Sequence, residues 1–429
     1  MAATNQTHTV TVPIYEASNN QNQSPPRIRR VPCILRHIDK NRGCYEPMLV
    51  SIGPFHHGRP DLQLLEPLKI ELEQQFISDM GSEFPAFDRN FDEVAIRARE
   101  CYDLIALQYF TDMGTLREIT KDVFKSIMFR DGCFIRHFIH CMAADNPNPS
   151  DTKMKTDQRA FMVRDMFLLE NQLPFIVLKE LMSLELITKF IRRQMGIAEN
   201  NSPPLQKDST QPLHLLDLLR KELVRDAPPP MSQLRGGMEL DSWYSFRTVT
   251  ELKASSISCK RSTSHSLKGI SFKTGFIKGH LLLPRMIIDD STKSKFLNLV
   301  AYETCPDAPD DFTVTSYICL LDSLIDSAED VKELRSKGIL LNALGSDQQV
   351  ADLFNDLTLE LVPDSELYQD VKSGIERHYK SKVRIWMAEV CNTYFRTPWS
   401  IIAFVAAGLA LLLTMAQTYY AANDSSKKP

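Results

Sequence analysis

Four side chains able to bind zinc fall close together: Cys133, His137, His140 and Cys141. On a helix, positions i, i+4, i+7 and i+8 share one face, so the spacing invites a metal reading. One straight helix cannot wrap four donors around an ion, however, and tetrahedral zinc sites need donors converging from all sides. Phe134, Phe138 and Ile139 interleave with the four, which suits a core helix, and no metal is assigned. His56-His57 stands between Gly53-Pro54 and Gly58. A loop imidazole could serve as an acid or base, but no partnered nucleophile or carboxylate is identifiable beside it, so the pair reads as a polar turn.

Glu170-Asn171-Gln172 lies within a strongly apolar stretch ending at Pro174. Polar groups there must face solvent or find buried partners. They are expected to satisfy backbone groups of a neighbouring loop and so fix how two helices meet, with a catalytic carboxylate at Glu170 as the competing reading. Asp289-Asp290 reads as a helix start, where acids are favoured. The phosphate-binding P-loop, the dinucleotide fingerprint, the nucleophile elbow and the zinc-protease signature do not occur in the sequence. No catalytic residue and no cofactor is assigned.

The elements that must position these residues are mostly helical. Residues 1–27 are rich in Asn, Gln, Thr and Ser and are expected to be a disordered tail. Val31 to Gly58 is punctuated by Pro47 and Gly53-Pro54 and predicts a loop-rich opening with at most one short strand. Leu62, Leu65, Leu68, Leu72 and Phe76 fall at helical spacing, and apolar stripes over Phe91–Phe110, Leu116–Met142 and Asp165 to about Ile197 predict further helices. Residues 200–212 and 228–237 are polar and proline-rich, as surface insertions are, with a short amphipathic helix, Leu213–Val224, between them. Over about 248–288 the period changes. Val249, Leu252, Ile257, Ile270-Ser-Phe272 and Phe276-Ile277, with glycines between, predict short strands or hairpins. Ser327-Ala-Glu-Asp330 and Ser346-Asp-Gln-Gln349 fit capping boxes ahead of returning helices, and a last helix runs from Glu366 to about Phe395.

The chain ends on its most apolar stretch. From Thr397 to Asn423 no side chain carries a formal charge. About 20 helical residues cross a hydrocarbon core of roughly 30 Å, so the stretch is long enough. Pro398 suits a first helical position, while Trp399 at one end and Tyr419 and Tyr420 at the other match an aromatic belt. Small residues around Gly408 would let two such helices approach, so self-association through the span is a candidate. The expectation is a mainly α body (28–396) with a small β-hairpin insertion, one transmembrane helix (397–422) and a short polar tail (423–429). Met1–Ser24 lacks an apolar core of the secretory type, and Lys380, Lys382, Arg384 and Arg396 precede the span. A tail-anchored protein with its bulk in the cytosol is expected, at the plasma membrane or an endomembrane. Nine scattered cysteines without a C-x-x-C pair suit reduced thiols, and a net charge of −4 gives no argument for nucleic acid.

Several segments together resemble one known family. Arg30-Val-Pro-Cys33, Tyr45-Glu-Pro47 and Val50-Ser-Ile-Gly-Pro-Phe-His-His-Gly58 look like the opening signature of the plant proteins grouped as domain of unknown function 247. Asp131-Gly-Cys-Phe-Ile135, Asp165–Pro174, Thr250–Ala254 and Ile288-Asp-Asp290 with Phe296–Leu299 resemble its inner motifs, and Val314–Tyr317, Leu344–Asp347, Leu353–Asn355 and Pro398-Trp399 its later ones. The resemblance spans roughly residues 28–422. It implies a plant protein with a largely helical domain and a C-terminal span, some of whose relatives are associated with self-incompatibility recognition in grasses. It supplies no activity, so His56, His57, Asp131, Glu170, Asn171, Gln172, Asp289 and Asp290 enter as motif positions of unassigned role. The expected function is a membrane-held module that binds protein partners, touching lipid through its last helix. The alternative is a membrane-tethered enzyme with a pocket near His56, His57 and Glu170.

Overall fold

The computed structural model describes residues 27–103, 119–144, 148–197, 211–225, 247–275, 278–364, 366–380 and 398–425. A single turn, α1 (Cys33–Arg36), opens the body, a 3-10 helix over Asp39–Cys44 follows, and the backbone is then irregular through Gly58. Then come α2 (Glu66–Met80), α3 (Phe84–Glu100) and the long α4 (Lys121–Ala143). Thr120 caps α4 by accepting from the Val123 N–H, which meets one donor that the first helical turn leaves free. These helices pack through a phenylalanine cluster, Phe76, Phe84, Phe87, Phe91 and Phe129, with ring centroids 5.3–6.4 Å apart. The buried face of α2 is the one that leucine spacing suggests, with Lys69 on it as well. Leu62, Leu65, Lys69 and Leu72 point inward, and Leu68 is only partly covered.

α5 (Thr156–Asp165), α6 (Phe175–Leu181), α7 (Leu184–Gln194) and α8 (Leu215–Leu223) follow. The predicted continuous helix from Asp165 does not form. The chain leaves helical geometry at Met166 and resumes only after Pro174, because Glu170, Asn171 and Gln172 bond backbone groups elsewhere. The segment read as β-rich begins with a helix, α9 (Val249–Ala254). Val249 and Leu252 stand three apart, on one helical face, and Thr248 with Glu251 closes a capping box.

Strands then appear as expected. β1 (Ile257–Arg261), β2 (Ser271–Thr274) and β3 (Gly279–Leu283) make a sheet in the order β1-β3-β2. β2 and β3 form the antiparallel hairpin, whereas β1 runs parallel to β3 with Ile257 opposite Gly279. β4 (Met286–Ile288) pairs in parallel with β5 (Leu340–Asn342), a strand that three residues give too little pattern to announce. The remaining helices are α10 (Thr292–Glu303), α11 (Thr313–Leu324), α12 (Ala328–Ser336), α13 (Asp347–Leu357) and α14 (Gln369–Tyr379). Both predicted capping boxes, at Ser327 and Ser346, are in place. One contiguous apolar core joins Ile28 to Ile375.

The chain ends in α15 (Pro398–Ser425), 28 residues long. Within it Ile402–Tyr419 is long and apolar enough to cross a membrane, and none of it is buried. Nearly all of the expected tail, Phe276-Ile277, residues 228–237, most of 200–212, the last helix beyond Lys380, and the side chains of Pro398, Trp399 and Tyr420 lie outside the described residues.

Candidate functional site

Met48 to His56 is irregular backbone, yet apart from Met48 it is buried. Segments without helix or sheet normally stay at the surface, where water meets their N–H and C=O groups. Here side chains from three later elements take that role. The Asp165 carboxylate, at the end of α5, accepts from the N–H groups of Met48, Leu49 and Val50 at 2.8–3.2 Å. Asn171 accepts from the Ile52 N–H (2.6 Å) and donates to the carbonyls of Val50 (3.1 Å) and Asp165 (3.0 Å). Asp131, inside α4, accepts from the Gly53 N–H at 2.9 Å. Gly53 has φ +72, and a Cβ there would stand 2.6 Å from the Gln172 carbonyl oxygen, so only glycine fits.

A buried ammonium closes this arrangement. Lys69 donates to the Ser51 carbonyl (2.6 Å) and pairs with Asp131 (2.8 Å) and Glu66 (2.6 Å). Burial alone would discharge Lys69, but Asp131 and Glu66 hold its pKa above the ordinary value. Gln172 donates to the carbonyls of Met166 and Leu168, its own carbonyl accepts from the Tyr102 hydroxyl, and its Oε1 accepts from the Leu216 N–H. Glu170 accepts from the Val31 N–H at 2.7 Å and from Arg36. Glu170 and Asn171 thus satisfy backbone groups of the opening segment as expected, whereas Gln172 bonds carbonyls of its own segment and an N–H in the first turn of α8.

The histidine pair divides between two sides. His56 is buried, its Nδ1 lies 3.2 Å from Arg59, and its Nε2 lies 3.9 Å from Glu170, beyond hydrogen-bond reach. Since a guanidinium only donates, Nδ1 accepts and the ring proton sits on Nε2. Burial, opposed by Glu170 and Glu46, lowers the His56 pKa and leaves the ring neutral at pH 7. His57 faces the other cluster, where burial lowers its pKa against the pull of Asp131 and Glu66. The two imidazoles and Glu170 do not converge on a shared cavity. Among the described residues, a wide cleft of about 780 Å³ is bordered by Tyr302, Asp307 and Asp217, and a smaller one lies beside α7 and α8; neither is lined by His56, His57 or Glu170.

The remaining sequence candidates serve the same kind of purpose. Asp289 accepts from the Ser291 N–H and the hydroxyls of Ser291 and Thr292, ahead of α10, while Asp290 is exposed beside it. Cys133 is buried in the core, His137 bonds the Asp151 carbonyl, and His140 turns outward, so the four zinc-type side chains do not converge. Sequence reasoning missed Lys69 and Asp165. The signal for Lys69 was present: it lies four residues after Leu65 and three before Leu72, on the inward stripe. It also missed Glu303, a buried carboxylate that pairs with Arg220 at 2.9 Å and accepts from the Val314 and Thr315 N–H groups at the start of α11.

The chain matches a family model described as a plant protein of unknown function over residues 28–413. It is similar to a UPF0481 protein of Arabidopsis thaliana, 25% identical over 430 residues, covering 90% of this chain and 85% of that one. A putative UPF0481 protein of the same plant is 22% identical over 475 residues, covering 87% of this chain and 86% of the relative. No solved structure matches the chain.

Proposed function

The chain belongs to this plant family of unknown function, and we propose that it is a single-pass membrane-anchored protein whose helical body binds protein partners. The observation that carries the anchor is α15: eighteen consecutive residues, Ile402–Tyr419, form an apolar helix with no protein cover. In water such a helix would expose a continuous apolar surface far larger than the patches soluble monomers tolerate. In a bilayer its length matches the hydrocarbon core. The basic residues Lys380, Lys382, Arg384 and Arg396 ahead of the span favour a cytosolic body.

Support for partner binding comes from how the reactive side chains are used. Asp131, Asp165, Asn171 and Lys69 are engaged in holding Met48–Gly53 in one shape, and Glu170 in holding Val31 and Arg36. The stretch they fix presents Met48 at the surface, more than half exposed, and Ile34 and Leu64 on the flanking segments are exposed as well. A rigid segment displaying such groups suits recognition, since little ordering entropy is lost on contact.

Alkaline carbonate extraction of plant microsomes tests the anchor. The full chain is expected in the pellet and the chain lacking residues 398–429 in the supernatant. Equal pelleting of both would refute it. Proximity labelling with full-length Met48→Asp tests the second part: a labelled set unchanged from the native chain, for a variant that folds normally, would remove Met48 from the interface.

A further inference from the structure

A second, smaller cleft lies between the end of α7, α8, the β3–β4 corner and the start of α10. Its volume is about 80 Å³, roughly half of a cavity that holds benzene (about 150 Å³), so it has room for a few carbon atoms. The interior is apolar, built from Leu219, Leu223, Met195, Met286, Phe296 and Leu299. One wall is fixed by a close backbone contact. Gly196 has φ +69, and a Cβ there would come within 2.5 Å of Ile287 Cδ1, so the turn after α7 seats directly on β4.

The rim has a different character. Arg285, His265 and Lys295 all border the cleft, with Asp289 as the carboxylate among the lining residues. The Asp289 carboxylate is already engaged: Oδ1 accepts from the Ser291 N–H (3.0 Å), the Ser291 hydroxyl (2.6 Å) and the Thr292 hydroxyl (2.9 Å), and Oδ2 lies 3.9 Å from Lys295. Arg285 and His265, both half-buried, have no hydrogen-bond or ion-pair partner among the described residues. The charges of Arg285 and Lys295 against Asp289 leave one net positive charge over an apolar hole. A guanidinium presents a planar fork that fits a carboxylate, and small-ligand sites characteristically pair an apolar body with a few convergent polar groups.

We propose that this cleft binds a small amphipathic monoanion, a carboxylate with a short hydrocarbon body. Its head would lie between Arg285 and His265, and its tail against Leu219, Leu223 and Phe296. This site is separate from the pinned segment and does not depend on the anchor or the partner reading.

The test uses the full chain in detergent micelles, with methionine methyl groups labelled with carbon-13, and the probes hexanoate, 1-hexanol and hexylamine. Met195 and Met286 line the cleft and report occupancy directly. Hexanoate is expected to shift both methyl resonances saturably with Kd on the order of 1 mM, as suits so few heavy atoms. Hexanol is expected to bind at least ten-fold more weakly and hexylamine not at all. Arg285→Gln should weaken hexanoate at least ten-fold while leaving hexanol binding unchanged, which also shows the variant is folded. Equal shifts from hexanoate and hexanol, an Arg285→Gln protein that binds hexanoate as the native chain does, or no saturable shift at these two methyls would each overturn the proposal.

Discussion

Asn171→Leu isolates the contribution of side-chain hydrogen bonds to an irregular core. Leucine has the same branched outline as asparagine but bulkier methyl ends, so some overpacking adds to the effect, and it can make none of the three contacts of Asn171. The Ile52 N–H and the carbonyls of Val50 and Asp165 would be left buried without partners. Each unmet buried group costs about 1–3 kcal/mol, so the sum is about 3–9 kcal/mol if no water enters. Native stabilities are about 5–15 kcal/mol, so the lower bound already removes a large fraction. The loss should also be local before it is global, because Met48–Gly53 has no ladder of its own to fall back on. Amide hydrogen exchange followed by mass spectrometry reads both effects. Peptides covering residues 48–53 are expected to exchange at least about 100-fold faster, since each 1.4 kcal/mol is a factor of ten, while the middle of α4 stays protected until the whole body opens. Unchanged exchange at 48–53 together with an unchanged Tm would show that the segment is held by its apolar side chains alone, and the reasoning given for Glu170, Asn171 and Asp165 would fall with it.

Lys69→Met strands the Asp131 carboxylate in the core and should cost about 3–5 kcal/mol, with most of the loss recovered in Lys69→Met/Asp131→Asn; a double variant no more stable than the single, by urea unfolding, would refute the pairing. Gly53→Ala should destabilise by more than about 1 kcal/mol, because φ is +72 and the new Cβ meets the Gln172 carbonyl; a Tm within one degree of the native value would refute that. His214 is fully buried with its pKa pushed down to about 4 by burial. Unfolded, the ring gains a proton near 6.5 while the folded ring stays neutral, so stability is whole above pH 6.5 and falls as the pH drops toward 4, by up to about 3 kcal/mol. His214→Asn keeps an acceptor for the Asp217 N–H without titrating, so its stability curve should be flatter across that window; superimposable curves would refute the assignment.

What could be read from the chain alone follows from how local each signal is. The capping boxes at Ser327 and Ser346 need only four residues, and both are present. The stripe of α4 repeats over many turns and survives in the fold. Failures occur where a distant partner decides. Asp165–Pro174 has the apolar content of a helix but is unwound by bonds to residues more than a hundred positions earlier. β5 is three residues long and becomes a strand only because β4, over fifty residues before it, supplies an edge. Lys69 was passed over because a lysine on a leucine stripe looks like an error in register, and only Asp131 and the Ser51 carbonyl make its burial tolerable. For Glu170 to Gln172 the polar residues in an apolar run did forecast their use, though not that Asp165, just outside the triplet, would take three N–H groups.

The pinned segment also sets a timetable for synthesis. Its last groups are satisfied only when Asn171 is made, 118 residues after Gly53 (171 − 53), and the Cys44 carbonyl waits for Ser294, 250 residues later (294 − 44). At about 5–20 residues per second those intervals are roughly 6–24 s and 13–50 s. Throughout them Leu49, Val50, Ile52 and Phe55 have emerged from the ribosome with nowhere to dock. The nascent N-terminal part is therefore a client for a holding chaperone, and ribosome profiling selective for chaperone-bound chains should show occupancy beginning near residue 60 plus the tunnel length and ending once α10 has been translated.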